Sequence, residues 1–224
     1  MENQLNLKNF ILGLNADEVG FCKHNLTAPY GLSLPYAVTV AVKLPDAVLK
    51  TINGKPTISY FHSYRTANAM LDDIAFKTAR YIEKLGYDAL TIGASQSTAD
   101  DKSSYRGLFS HKIGARLSGL GFIGKSGLFI SKNYGSKVRL VTVLTNMPLT
   151  PENAIIENGC GSCENCVKAC PAGAISGIVY KEGMLREDFF SAEKCSKNMK
   201  NYNDIGRGSV CGICISVCPY NKLK

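Results

Sequence analysis

An α+β domain followed by a small cysteine-rich module is the architecture that this 224-residue sequence predicts. Three observations predict it. Within residues 1–150, apolar positions recur at helical spacing in some stretches and alternate in others. Eight of the nine cysteines crowd into residues 160–218. Pro148 and Pro151 mark the boundary between these regions. The division is therefore 1–150 for an α+β cofactor or substrate domain and 151–224 for the module.

The elements follow in order. Gln4 to Leu14 places Leu5, Leu7, Phe10, Ile11 and Leu14 at helical spacing. Val19 to Cys22 reads as a short strand. Tyr36 to Leu44 (YAVTVAVKL) is Val-rich and alternating, and reads as another. Ser59 to Leu85 carries Ala67, Leu71, Ile74, Thr78 and Ile82 on one helical face, with Gly86 as its stop. Ala89 to Gly93 reads as a strand and Ser110 to Leu117 as a helix. Leu128 to Ser131 and Val138 to Leu144 read as paired strands around the turn Asn133 to Ser136.

The cysteines carry the chemistry. Cys160, Cys163, Cys166, Cys170 and Pro171 form C-x2-C-x2-C-x3-C-P, the bacterial ferredoxin run for a [4Fe–4S] cluster. Cys211, Cys214, Cys218 and Pro219 form a second block that lacks its first cysteine. A cubane needs four thiolates at the corners of a tetrahedron. Three come from one tight loop and the fourth from elsewhere. In two-cluster ferredoxins the cysteine before proline serves the other cluster. Cluster one is thus expected on Cys160, Cys163, Cys166 and Cys218. Cluster two is expected on Cys170, Cys211 and Cys214, with Cys195 completing it across an insertion. Zinc does not need this run. Disulfides suit an oxidising compartment, and the N-terminus MENQLNLKNF shows no signal-peptide pattern. Cys22 is left over and reads as a small buried hydrophobe.

Composition narrows the class. The hydrophobic fraction of 45% is ordinary for a globular protein. No apolar run approaches the ~18 residues that span a bilayer, so a soluble, cytoplasmic protein with no membrane partner is expected. Nearly all of the net charge of +8 lies in residues 1–150, which suits an anionic substrate, cofactor or nucleic acid. Gly119 to Ser126 (GLGFIGKS) matches both G-x-G-x-x-G and the P-loop pattern. Its context is inverted, with a helix before and a strand after, so no phosphate cradle is expected. His24 and His62 are isolated and read as structural.

The segment GLGFIGKSGLFISKNYGSKVRLVTVLTNMPL, followed by CGSCENCVKACPAGAI and CGICISVCPYNK, resembles the epoxyqueuosine reductase family. The resemblance covers about residues 105–222 well and the earlier part loosely. It implies a nitroreductase/reductive-dehalogenase-like N-terminal domain followed by a bacterial-ferredoxin-like two-cluster module. It implies two [4Fe–4S] clusters and a cobalamin held without its lower base. It also implies reduction of an epoxide on a tRNA nucleoside, with electrons from a low-potential donor of the ferredoxin or flavodoxin type. By the same resemblance, Gly124, Lys125, Ser126 and Gly127 lie where the corrinoid is contacted. Two departures stand out. The family's D-S-x-P segment is absent, leaving Tyr105 or His111 as the expected proton donor. The family's C-terminal helical domain has no counterpart in the sequence, so a short form is expected. An electron-transfer protein without substrate chemistry of its own is the alternative.

Overall fold

The computed structural model describes residues 2–98, 105–205 and 210–222. The first half comprises α1 (Glu2–Gly13), β1 (Glu18–Lys23), β2 (Tyr36–Lys43), α2 (Asp46–Lys50), α3 (Ile58–Lys84) and β3 (Ala89–Ile92). Then come α4 (His111–Leu117), β4 (Gly121–Ile123), β5 (Phe129–Ser131) and β6 (Val138–Thr145). The module holds α5 (Asn165–Ala169), α6 (Ala192–Met199) and α7 (Ile213–Ser216). No helix among the described residues is long and apolar enough to cross a membrane.

β1, β2, β6 and β3 form one sheet in that order, each pair antiparallel. Alternation along the strands sends side chains to two faces. Val38, Val40, Val42, Val141 and Val143 meet α1 and α3. Ala37 and Leu144 meet Phe109, while Ala41 and Leu140 meet Ala115 of α4. That second face is tightly closed. A Cβ on Gly20 would come within 2.5 Å of Ser118, and one on Gly114 within 2.6 Å of Thr39 Oγ1.

α3 starts at Thr57, whose hydroxyl accepts from the Tyr60 amide at 3.2 Å. Its buried stripe runs through Tyr60, Ala67, Leu71, Ile74, Thr78 and Ile82. It gives way at Leu85 and Gly86, the latter at φ +86°. The expected pairing of 128–131 with 138–144 is overturned. β5 pairs instead with β4, Phe122 opposite Ile130. β6 is taken by β2 over its whole length and by β3 at its C-terminal end. The glycine-rich motif concealed β4, because Gly121 packs against β5 where a Cβ would lie 2.0 Å from the Ile130 carbonyl oxygen.

The module docks on the first domain without an intervening gap. Val210, Ile213 and Ile215 belong to the same hydrophobic cluster as α1 and α3. Asn221 Oδ1 accepts from the Ser136 amide at 2.8 Å, and Gly135 lies against the Tyr220 backbone.

Candidate iron–sulfur centre and the adjoining notch

The first cysteine block forms a tight loop before α5. The Cys163 amide donates to the Cys160 carbonyl at 2.9 Å. Asn158 holds the loop's entry, accepting from the Cys160 amide at 2.8 Å and donating to the Ile123 carbonyl at 2.6 Å. From the far end of the chain, the Tyr220 hydroxyl donates to the Gly159 carbonyl at 2.6 Å, which brings Cys218 to the same place. Cys160, Cys163, Cys166 and Cys218 line one cavity, which Cys214 of the second group also borders. Burial pushes the Cys166 thiol up to about 11, and its neighbours Cys160, Cys218 and Cys163 add to the rise.

The second group forms beside it. The segment after Cys170 leaves and returns, closed by an antiparallel bridge between Ile175 and Phe190. Ser191 then caps α6, accepting from the Lys194 amide at 3.3 Å, and α6 carries Cys195. Burial raises the Cys195 thiol to about 11, with Cys211 and Cys170 as further causes. Burial also raises Cys214, followed by its neighbours Cys211, Cys195, Cys166 and Cys170. So the fold gathers the eight thiols into two sets of four, and all nine cysteines are free of disulfides. Among the described residues no set of three or more His, Cys, Asp or Glu is drawn in closely enough for a single metal ion. A cubane spreads its thiolates around a wider core than one ion does, and the donors are all sulfur. The thiols therefore fit two iron–sulfur clusters. Iron binding would displace the thiol protons that burial now favours.

The residues expected at the corrinoid, Gly124 to Gly127, lie against the cysteine module. Gly124 approaches the first thiol set, where a Cβ would stand 3.4 Å from Cys160 Sγ. Lys125 is 6% exposed and its Nζ donates to the Cys163 carbonyl at 3.2 Å. Ser126 lines the thiol cavity, and Gly127 lies against Phe190. The turn faces sulfur because β4 and β5 direct it at the module.

The two expected proton donors part company. Asp100 to Ser104 lie outside the described residues. Tyr105 is half-exposed at φ +49°, its carbonyl accepting from Arg186 Nη1 at 2.8 Å. His111 is turned inward instead. Its Nδ1 meets Thr142 Oγ1 at 2.9 Å and its Nε2 meets the Gly93 carbonyl at 3.1 Å. Nε2 therefore carries the proton and Nδ1 accepts. Burial lowers its pKa to about 4. A neutral imidazole with both nitrogens engaged is a packing group, so His111 does not fit the proton-donor role expected of it. Its neighbour Lys112 donates to the Gly127 carbonyl at 2.6 Å, and burial, with Arg186 nearby, brings it down to about 8.

A further site went unread in the sequence. β3 ends at Ile92, so β6 before Thr142 has an edge that β3 does not cover. Arg139 lies there, with Nε donating to Asn68 Oδ1 at 2.8 Å. Its guanidinium stands 4.1 Å from the Tyr64 ring centroid. Asn68 Nδ2 donates to Ser95 Oγ at 2.8 Å, and the Tyr64 hydroxyl lies 3.5 Å from that same oxygen. Tyr60, one turn before Tyr64, joins this notch to the second thiol set. A Cβ on Gly212, between Cys211 and Cys214, would fall 2.5 Å from Tyr60 Cζ.

The 4Fe-4S double cluster binding domain family matches residues 159–221. An epoxyqueuosine reductase of Lactococcus garvieae (strain Lg2) is 37% identical over 122 residues, covering 48% of this chain and 31% of that protein. Over that stretch the chain is similar to epoxyqueuosine reductases. A solved epoxyqueuosine reductase with an epoxyqueuosine-modified tRNA-Tyr stem loop matches at TM-score 0.66 and 18% identity, over 99% of this chain and 66% of that one. A solved reductive dehalogenase, described with a mechanism for B12-dependent dehalogenation, matches at TM-score 0.73 and 20% identity, over 96% of this chain and 31% of that one. These two likenesses show the fold. The chain spans about a third of the length of the curated relatives it matches.

The faint signal for the notch was the i, i+4, i+8 spacing of Tyr60, Tyr64 and Asn68, polar groups on an otherwise apolar helical face. Nothing local in the sequence ties that face to Arg139, 71 residues beyond Asn68.

Proposed function

We propose that this chain is a reductase of the epoxyqueuosine reductase type, in which two [4Fe–4S] clusters deliver single electrons to a cobalamin beside the Tyr64–Arg139 notch. The contact of Tyr60 with Gly212 carries the reading, because it joins one thiol set to a polar site on the other domain. Cys160, Cys163, Cys166 and Cys218 hold the first cluster. Cys170, Cys195, Cys211 and Cys214 hold the second. The second cluster is the inner one, since Tyr60, against Gly212, lies beside Tyr64, which faces Arg139.

Arg139, Asn68 and Ser95 fit the hydrogen-bonding periphery of a corrinoid, and Gly124, Lys125, Ser126 and Gly127 remain proposed contacts beside the first thiol set. Cobalamin, when bound, supplies strongly reducing chemistry that no side chain provides. The chain's own part is binding and proton supply. Tyr64 takes the role of proton donor in place of the missing aspartate, and Arg139 offsets the negative charge left on its ring. Tyr105, at the half-exposed entry, is the second candidate. The substrate class is a modified nucleoside in tRNA. The solved relative with its stem loop and the basic first domain support it.

Anaerobic reconstitution with iron, sulfide and cobalamin, followed by desalting and EPR, tests this reading. A retained base-off cob(II)alamin signal beside two cluster signals is expected. Clusters with all cobalamin lost would overturn the reductase reading and leave an electron-transfer protein.

A further inference from the structure

We infer that Lys125 is the charge-compensating residue of the first cluster, setting its reduction potential above that of the second; this rests on the two-cluster reading above. The argument starts from burial. Lys125 is 6% exposed, and a buried ammonium without an opposite charge is costly. Among the described residues no carboxylate pairs with it, and its one hydrogen-bond acceptor is the carbonyl of Cys163. The nearest acid in sequence to that cysteine, Glu164, is half-exposed and turned to Lys168 at 3.7 Å.

Both neighbours of Lys125 touch the thiol cavity. Gly124 approaches Cys160 Sγ, and Ser126 lines the same cavity as the four sulfurs of the first set. The ammonium is thus held on the Cys163 carbonyl, at the loop lining a cavity that, filled with a cubane and four thiolates, carries net negative charge. The cluster is the counter-ion that the fold provides for Lys125.

The consequence has a definite sign. Reduction adds an electron and deepens the negative charge. A fixed cation at the wall favours that state and raises the potential. Against the second thiol set, Tyr60 and Ile52 lie at Gly212 and the Tyr202 side chain hydrogen-bonds with Cys211, and none of these three carries a positive charge. The first cluster therefore accepts electrons more readily and serves as the entry point. The second passes them on at lower potential.

The test is an anaerobic, EPR-monitored redox titration of the reconstituted holoprotein, comparing wild type, Lys125→Met and Lys125→Arg. Met keeps the length and removes the charge, while Arg keeps the charge. In Lys125→Met one cluster should shift at least tenfold toward oxidised at a fixed poise, about 59 mV for a one-electron couple. The other cluster should stay, and Lys125→Arg should stay near wild type. Loss of one cluster from Lys125→Met but not from Lys125→Arg supports the same role. Unmoved midpoints, equal shifts in both clusters, or cluster loss in both variants would overturn it. Iron and sulfide content of the wild type reports separately on the two-cluster reading, and an iron-free protein would overturn both.

Discussion

Gly212→Ala tests the junction between the second thiol set and the notch. Gly212 sits at φ +75°, where an L side chain costs about 1–2 kcal/mol. The new methyl would also stand 2.5 Å from Tyr60 Cζ, 2.6 Å from Cε1 and 2.9 Å from Ile52 Cδ1. Tyr60 is 2% exposed and cannot swing out, so overpacking adds about 1–3 kcal/mol. Together the loss is about 2–5 kcal/mol, which for a chain of this size lowers Tm by roughly 4–20 °C. The assay is anaerobic thermal unfolding of the holoprotein, read by near-UV circular dichroism and cluster absorbance. The double variant with Tyr60→Leu separates the causes. It should recover the overpacking part and leave the backbone part, relative to Tyr60→Leu alone. A Tm for Gly212→Ala within 1 °C of wild type would refute the reasoning, as would strict additivity with Tyr60→Leu.

Other outcomes follow from the same geometry. Cys195→Ser should cost one cluster and about half of the bound iron while the first cluster's EPR signal persists, because Cys195 neighbours Cys170, Cys211 and Cys214 of the second set. Tyr64→Phe should slow substrate reduction by about 10²-fold or more, with cluster content unchanged, as measured in single-turnover assays. His111, lowered to about 4 in the fold from 6.5 unfolded, contributes stability that is full above pH 6.5. That stability is lost as pH falls toward 4, at most about 3 kcal/mol. Urea midpoints of wild type between pH 7 and 5 should fall more steeply than those of His111→Gln, and parallel slopes would sink the assignment.

Much of the first domain was readable because its signals are local. The stripe of α3 and the alternation of β2 each lie within one continuous segment, and both elements form within two residues of their expected ends. Pairing was less readable. β5 looked like a partner for β6 through the turn at Asn133. Yet β6 is a central strand whose neighbours, β2 and β3, come from far away in sequence. The glycine motif misled in a similar way. Its glycines allow close backbone approach, but a sequence does not say to what, and here the approach is to Asn153, β5 and Cys160.

By itself the sequence determined the chemistry of the donors. Cysteine number and spacing are covalent facts, and a C-x2-C-x2-C loop caps iron wherever it is placed. Tertiary structure decided which residues share a site. It brought Cys195 to Cys170 and Cys211 by closing the insertion at Ile175 and Phe190. It turned His111 inward, aimed Lys125 at the thiols, and set Arg139 over Tyr64. Each of these depends on packing between segments distant in the chain. Close packing fixes such neighbours only when the whole core is assembled, so no local pattern records them.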